Sequence, residues 1–206
     1  MPLNRKSPKS EGKSDVQYEL LEAGDHDARL VFVADLGLQR KEYKGEYKGD
    51  FQQIALGLEI VGETVEVDGK EVPRLMWTRP FYIYDKLTEK GVELQMYKAF
   101  VSSAVDGDIP DWDAQLGKPC NAVVVHNEGK GANAGKTFDN VADITAIPAK
   151  YQDAVAPNKI TPEIGDGENV QKHLFGLAKF VFDKRIQSAE DAYNRAAEHI
   201  EDSVTF

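Results

Sequence analysis

"VELQMYKAFVSSAV", residues 92–105, places Leu94, Tyr97, Val101 and Val105 three and four positions apart, the spacing of a helix with one buried stripe. Everything upstream has a different period. In "FQQIALGLEIV", residues 51–61, Ile54, Leu56, Leu58 and Ile60 alternate with Gln53, Ala55, Gly57 and Glu59, which predicts a strand with one buried face. "HDARLVFVADL", residues 26–36, is a strand before it, and a polar loop joins the two. "TVEVDGKEVPRL", residues 64–75, sets Asp-Gly between two strand-like runs, a hairpin signal. Its returning arm continues through "MWTRPFYIY", residues 76–84, where Pro80 marks an edge or a bulge. Downstream of the helix, "KPCNAVVVHN" (118–127) and "KTFDNVADITAI" (136–147) supply two more strands.

Three strands, one helix and two strands form the order of a five-stranded antiparallel OB-fold barrel, with the helix between strands 3 and 4 plugging one end. The expected fold class is therefore mainly β, with a C-terminal helical extension and an acidic tail. Residues 1–15, "MPLNRKSPKSEGKSD", lack aromatic residues and are expected to be a disordered basic arm. The OB domain spans 16–148. Residues 149–187 combine a proline- and glycine-punctuated linker with "VQKHLFGLAKFVFDKRI", apolar enough to dock as a helix. Residues 188–206 form an acidic C-terminal helix and tail, with Ser188 and Asp191 in a capping-box-like arrangement.

With 206 residues the chain holds one domain of ordinary size plus tails. Its single cysteine, Cys120, forms no internal disulfide and adjoins an apolar run, as a buried structural thiol does. No segment has the length and apolarity of a signal peptide or membrane span, so a cytoplasmic location and no membrane partner are expected. The net charge of −10 argues against a nucleic-acid partner on average. That charge is segregated, however: Arg5, Lys6, Lys9 and Lys13 crowd the start, and Glu190, Asp191, Glu198, Glu201 and Asp202 the end.

No catalytic residue, metal ligand or cofactor site is expected. The sequence has no HExxH, CxxC or GxSxG, and His26, His126, His173 and His199 lack ligand spacing. "GKGANAGKT", residues 129–137, fails as a phosphate-binding loop by one register position, and a strand rather than a helix follows it. "DGDIPDWD", residues 106–113, has its glycine misplaced for a calcium loop and Gly117 where the closing glutamate belongs.

Binding residues are more evident. "QRKEYKGEYKGDF", residues 39–51, interleaves Arg40, Lys41, Lys44 and Lys48 with Tyr43, Tyr47 and Phe51, diluted by Glu42, Glu46 and Asp50. Cations that track phosphates and rings on which bases stack are what an unpaired nucleic-acid strand needs. On the third strand, alternation groups Trp77, Arg79, Phe81 and Ile83 on one face unless Pro80 shifts the register. That face is the expected platform, because a buried unpaired guanidinium is costly, and Tyr82 and Tyr84 would then pack inside. Lys130, Lys136 and Phe138 belong to the loop and start of the strand that OB folds turn toward oligonucleotides.

The stretches "AGDHDARLVFVADLGLQ", "EYKG", "FQQIALGLEI", "LGKPCNAVVVHNEG" and "FDNVADITAIP", over about residues 23–148, resemble the OB-fold single-stranded DNA-binding proteins of tailed bacteriophages. The resemblance implies sequence-nonspecific binding of single-stranded DNA and its protection during DNA replication and recombination. The ending "HIEDSVTF" is similar to the acidic, phenylalanine-terminated tails of such proteins. It implies that Glu201, Asp202 and Phe206 recruit replication proteins and compete with DNA for the groove. The rival expectations are a protein-interaction module acting as a replication or virion accessory, and a nuclease built on Asp106 or Asp108.

Overall fold

The computed structural model describes residues 19–187. The basic arm 1–15 and the acidic tail 188–206, with Glu201, Asp202 and Phe206, lie outside the described residues. The chain is mainly β. Two long strands, β1 (Gly24–Tyr43) and β2 (Glu46–Val67), pair antiparallel from Ala28↔Ile60 out to Tyr43↔Glu46. The polar loop expected between them is absent; the same residues are the distal half of a β-ribbon. Lys44 and Gly45 close it with positive φ at both positions (54° and 78°), the two-residue geometry whose twist lets the ladder run to the tip. Tyr43, Tyr47 and Phe51 are the ring-bearing residues that strands favour.

Asp68 and Gly69, again with both φ positive, turn β2 into β3 (Lys70–Trp77). Pro80 then interrupts the ladder. Trp77 pairs with Gly57, but Phe81 pairs with Ile54 in the short strand β4 (Phe81–Tyr82), so the register slips by one residue and the faces exchange. Helix α1 (Val92–Tyr97) follows. It is shorter than the 92–105 periodicity predicts: beyond Tyr97 the bonds tighten toward i→i−3, as in Ala104 N–H to Val101 O. Leu94 and Tyr97 are buried and Val101 partly so, whereas Val105 is exposed beside a turn held by Asp108.

Strands β5 (Pro119–Glu128) and β6 (Thr137–Thr145) complete a seven-stranded sheet whose main path is β3-β2-β1-β5-β6. The antiparallel path curls until its edges approach. Thr78, just past β3, forms a parallel bridge with Val141 of β6, and the Arg74 guanidinium of β3 pairs with the Asp139 carboxylate of β6. Inside the curl, Leu30, Leu56, Leu58, Ile60, Met76, Phe81, Cys120, Val124 and Ile144 form one core with Leu94, Tyr97 and Trp112. Burial pushes the Cys120 thiol up to about 12, so it is an inert packing group.

The other face of the sheet is covered as well. After α2 (Ala149–Gln152), β7 (Glu163–Gly165) pairs parallel with Phe32–Ala34 of β1. Helices α3 (Glu168–His173) and α4 (Gly176–Asp183) then bring Val170, Leu174, Ala178 and Phe182 against Val31, Phe32, Ala34, Leu36 and Ala55. The single buried face predicted for 51–61 is therefore corrected: Ala55, Gly57 and Glu59 are buried too. Glu59 is only 3% exposed, and its carboxylate accepts the backbone N–H groups of Lys159 (2.8 Å) and Ile160 (2.7 Å), which satisfies the buried charge. Arg29 fastens the same crossing segment by donating to the carbonyls of Val155 and Ala156 at 2.6 Å.

Candidate nucleic-acid interface

The distal ribbon carries the densest meeting of cations and rings among the described residues. Its pairs Gln39↔Phe51, Arg40↔Asp50 and Lys41↔Gly49 put neighbouring cations on opposite faces, because successive side chains alternate. On one face the Arg40 guanidinium carbon lies 4.5 Å from the centre of the Tyr47 ring, and its Nε is 3.8 Å from Asp50 Oδ1. A register shift between Lys41 and Glu42 sets Tyr47 opposite Glu42 and so beside Arg40.

On the other face three rings surround one ammonium. Lys41 Nζ is 5.4 Å from the centre of Phe51, 5.1 Å from Tyr82 and 5.2 Å from Tyr84, and it donates a hydrogen bond to the Tyr84 hydroxyl. Phe51 meets Tyr84 edge-on at 5.3 Å and Tyr82 at 6.3 Å. The Tyr82 hydroxyl donates to Arg40 O at 3.0 Å, tying β4 to the ribbon. Gly49 makes room for this arrangement: a Cβ there would lie 2.9 Å from the Phe51 ring, and its φ of 120° is one that L side chains rarely adopt.

At the tip, Tyr43, Lys44, Tyr47 and Lys48 are exposed, with the Lys44 ammonium 5.4 Å from the Tyr43 ring and Lys48 paired with Glu46. Arg40, Lys41, Tyr43, Lys44, Tyr47 and Lys48 are thus gathered on one element. The β5–β6 turn gathers the exposed Lys130 and Lys136 next to Phe138, which is 40% exposed; Gly129 N–H closes that turn on Lys136 O at 2.8 Å.

The third-strand platform does not form as predicted. Trp77 lies on the outer face under the C-terminal helices, stacked 5.9 Å from Phe32, with its indole N–H donating to His173 O at 3.0 Å. Phe81, across the Pro80 slip, is 4% exposed and belongs to the inner core, so it presents no ring face to a base. Arg79 is exposed between them. Tyr82 and Tyr84, expected inside, instead stand over Lys41. The sequence signal for them is Pro80: a proline between two alternating runs breaks their common phase.

Two further groups with displaced pKa values sit in packed surroundings. Burial raises the pKa of Glu93, whose carboxylate accepts the Trp112 indole N–H at 3.1 Å. Burial, followed by the nearby Lys172 charge, lowers that of His173, whose ring stacks 5.2 Å from Phe32. Asp106 and Asp108 accept the backbone N–H groups of Glu89 and Val105, and no His, Cys, Asp or Glu cluster able to hold a metal occurs among the described residues. None of their helices is long and apolar enough to cross a membrane. Compared with protein-family models and with curated proteins, the chain matches none.

Proposed function

We propose that this chain is a sequence-tolerant single-stranded DNA-binding protein of the OB type, protecting exposed strands in phage replication or recombination. The curled antiparallel path, α1 between β4 and β5, and the parallel Thr78–Val141 bridge between its edges support the OB assignment. One observation carries the function: the distal ribbon holds Arg40 against Tyr47 on one face and Lys41 against Phe51, Tyr82 and Tyr84 on the other. Cations beside ring faces are what a polymer of phosphates and unpaired bases requires, and the stacking is indifferent to sequence. Lys44, Lys48, Arg79, Lys130 and Lys136 are further exposed cations that phosphates can reach. Binding needs no cofactor.

Titration of labelled oligo-dT, oligo-rU and duplex at two ionic strengths tests this. Oligo-dT should bind more tightly than duplex, with log affinity falling against log salt at a slope of roughly −3 to −4 for four to six neutralised phosphates. A flat salt response refutes it. A protein-interaction module is the second reading, favoured by Leu177 and Phe180, which stay about half exposed (52% and 54%) on α4. Absence of oligonucleotide binding even at low salt would leave that reading in place.

A further inference from the structure

We propose that Lys41 is a displaceable plug: in the unliganded protein its ammonium occupies the ring faces of Phe51, Tyr82 and Tyr84, and an unpaired base takes its place while the lysine turns outward to a phosphate. The inference rests on the single-strand-binding function proposed above and assigns that site a resting state and an exchange step.

Three features carry it. First, none of the groups that hold Lys41 is a carboxylate. Its ring distances of 5.1–5.4 Å fall in the outer part of the cation–π range, and its hydrogen-bond acceptor is a neutral phenol. No carboxylate forms an ion pair with Lys41 among the described residues, so a phosphate, with full opposite charge, offers the better partner. Arg40 differs in facing a carboxylate, Asp50 at 3.8 Å, as well as the Tyr47 ring. Second, two of the three rings, Tyr82 and Phe51, are tethered independently of the lysine, and Tyr84 braces on Phe51. Tyr82 is anchored through Arg40 O, Phe51 fits over Gly49, and the rings brace one another edge to face, so their faces stay in place when the ammonium leaves. Third, the flexible four-carbon stem of lysine lets the charge move without moving the strand. Plugged, the protein avoids presenting three bare rings to solvent; unplugged, the same residues serve a base and its phosphate together.

NMR of the full chain tests the exchange. The Lys41 Hε resonance, assigned by its loss in Lys41→Ala, should lie upfield of the other lysines because of the ring currents, and saturating oligo-dT should return it to the ordinary lysine position. An Hε that remains upfield when oligo-dT is bound overturns the plug while leaving DNA binding intact. An Hε that is ordinary before oligo-dT is added overturns the resting state. No binding of oligo-dT at all overturns the functional assignment and the exchange with it, and an upfield Hε would then report only a structural contact. Tyr84→Phe keeps the ring and removes the acceptor; oligo-dT should bind about two- to tenfold more tightly, the worth of one net hydrogen bond. Unchanged or weaker binding by this variant also counts against the plug.

Discussion

Arg40 stacks on Tyr47 with 4.5 Å between guanidinium carbon and ring centre, although its partner in the ladder is Asp50. The register shift beside Lys41 brings the two together and gives one ribbon face a paired charge and ring. Tyr47 is half exposed, so its removal should cost contact with the ligand rather than folding. Tyr47→Ala is expected to weaken oligo-dT binding by about 1–3 kcal/mol, the value of one stacked base, with an unchanged denaturation midpoint. Fluorescence anisotropy and chemical denaturation on the same preparation check both halves.

Lys130 and Lys136 are exposed in the β5–β6 turn. If each meets one phosphate, Lys130→Ala and Lys136→Ala should each lower the salt slope by about 0.7 and weaken binding equally for all single-stranded sequences. Titrations at several salt concentrations, with dT, dC and mixed oligonucleotides, provide the measurement.

Both tryptophans are packed away from the proposed DNA path. Trp77 lies half-buried beneath the C-terminal helices, and Trp112 sits buried against Tyr97 and Glu93. Oligo-dT should therefore leave tryptophan emission, excited alone at the red edge of the absorption band, nearly unchanged, while the tyrosine contribution, taken as the difference on excitation at shorter wavelength, responds through Tyr47, Tyr82 and Tyr84. Strong tryptophan quenching at saturation would move the interface elsewhere.

Glu93 gives stability a pH dependence of defined sign. Burial holds its folded pKa above the ordinary glutamate value, so over the interval between the two the folded protein keeps a proton that the unfolded chain has lost. Stability from this group is present at the acid end of that interval and declines as pH rises through it. Glu93→Gln retains an acceptor for Trp112 and should flatten the decline, read as denaturation midpoints at about pH 5 and about pH 8.

Local pattern carried much of this architecture. The alternation at 54–60 fixed the inward set of β2, and Asp68–Gly69 fixed its hairpin with β3. Charge and glycine make the distal ribbon resemble a loop in sequence, while the Lys44–Gly45 turn that keeps the strands paired is only two residues long. The burial of Ala55, Gly57 and Glu59 escapes local pattern for a different reason: what buries or pairs them is Val170, Leu174, Trp77, Lys159 and Ile160, and separation along the chain leaves no trace in local spacing. At the candidate site, the cations and tip tyrosines were legible as interleaved residue types. The rings around Lys41 were not, since their placement depends on the one-residue slip at Pro80.

The clamps formed by Arg29 and Glu59 bear on where this chain can be cut. They lead a segment onto the sheet whose far end, at Ile186, bridges back to Leu38 at the base of the ribbon. A fragment stopping at Pro148 would strip Phe32, Leu36 and Ala55 of their cover and present a contiguous oily surface to solvent, and aggregation on expression is the expected result. The smallest autonomous unit accordingly extends through Ile186, about forty residues past the last long strand.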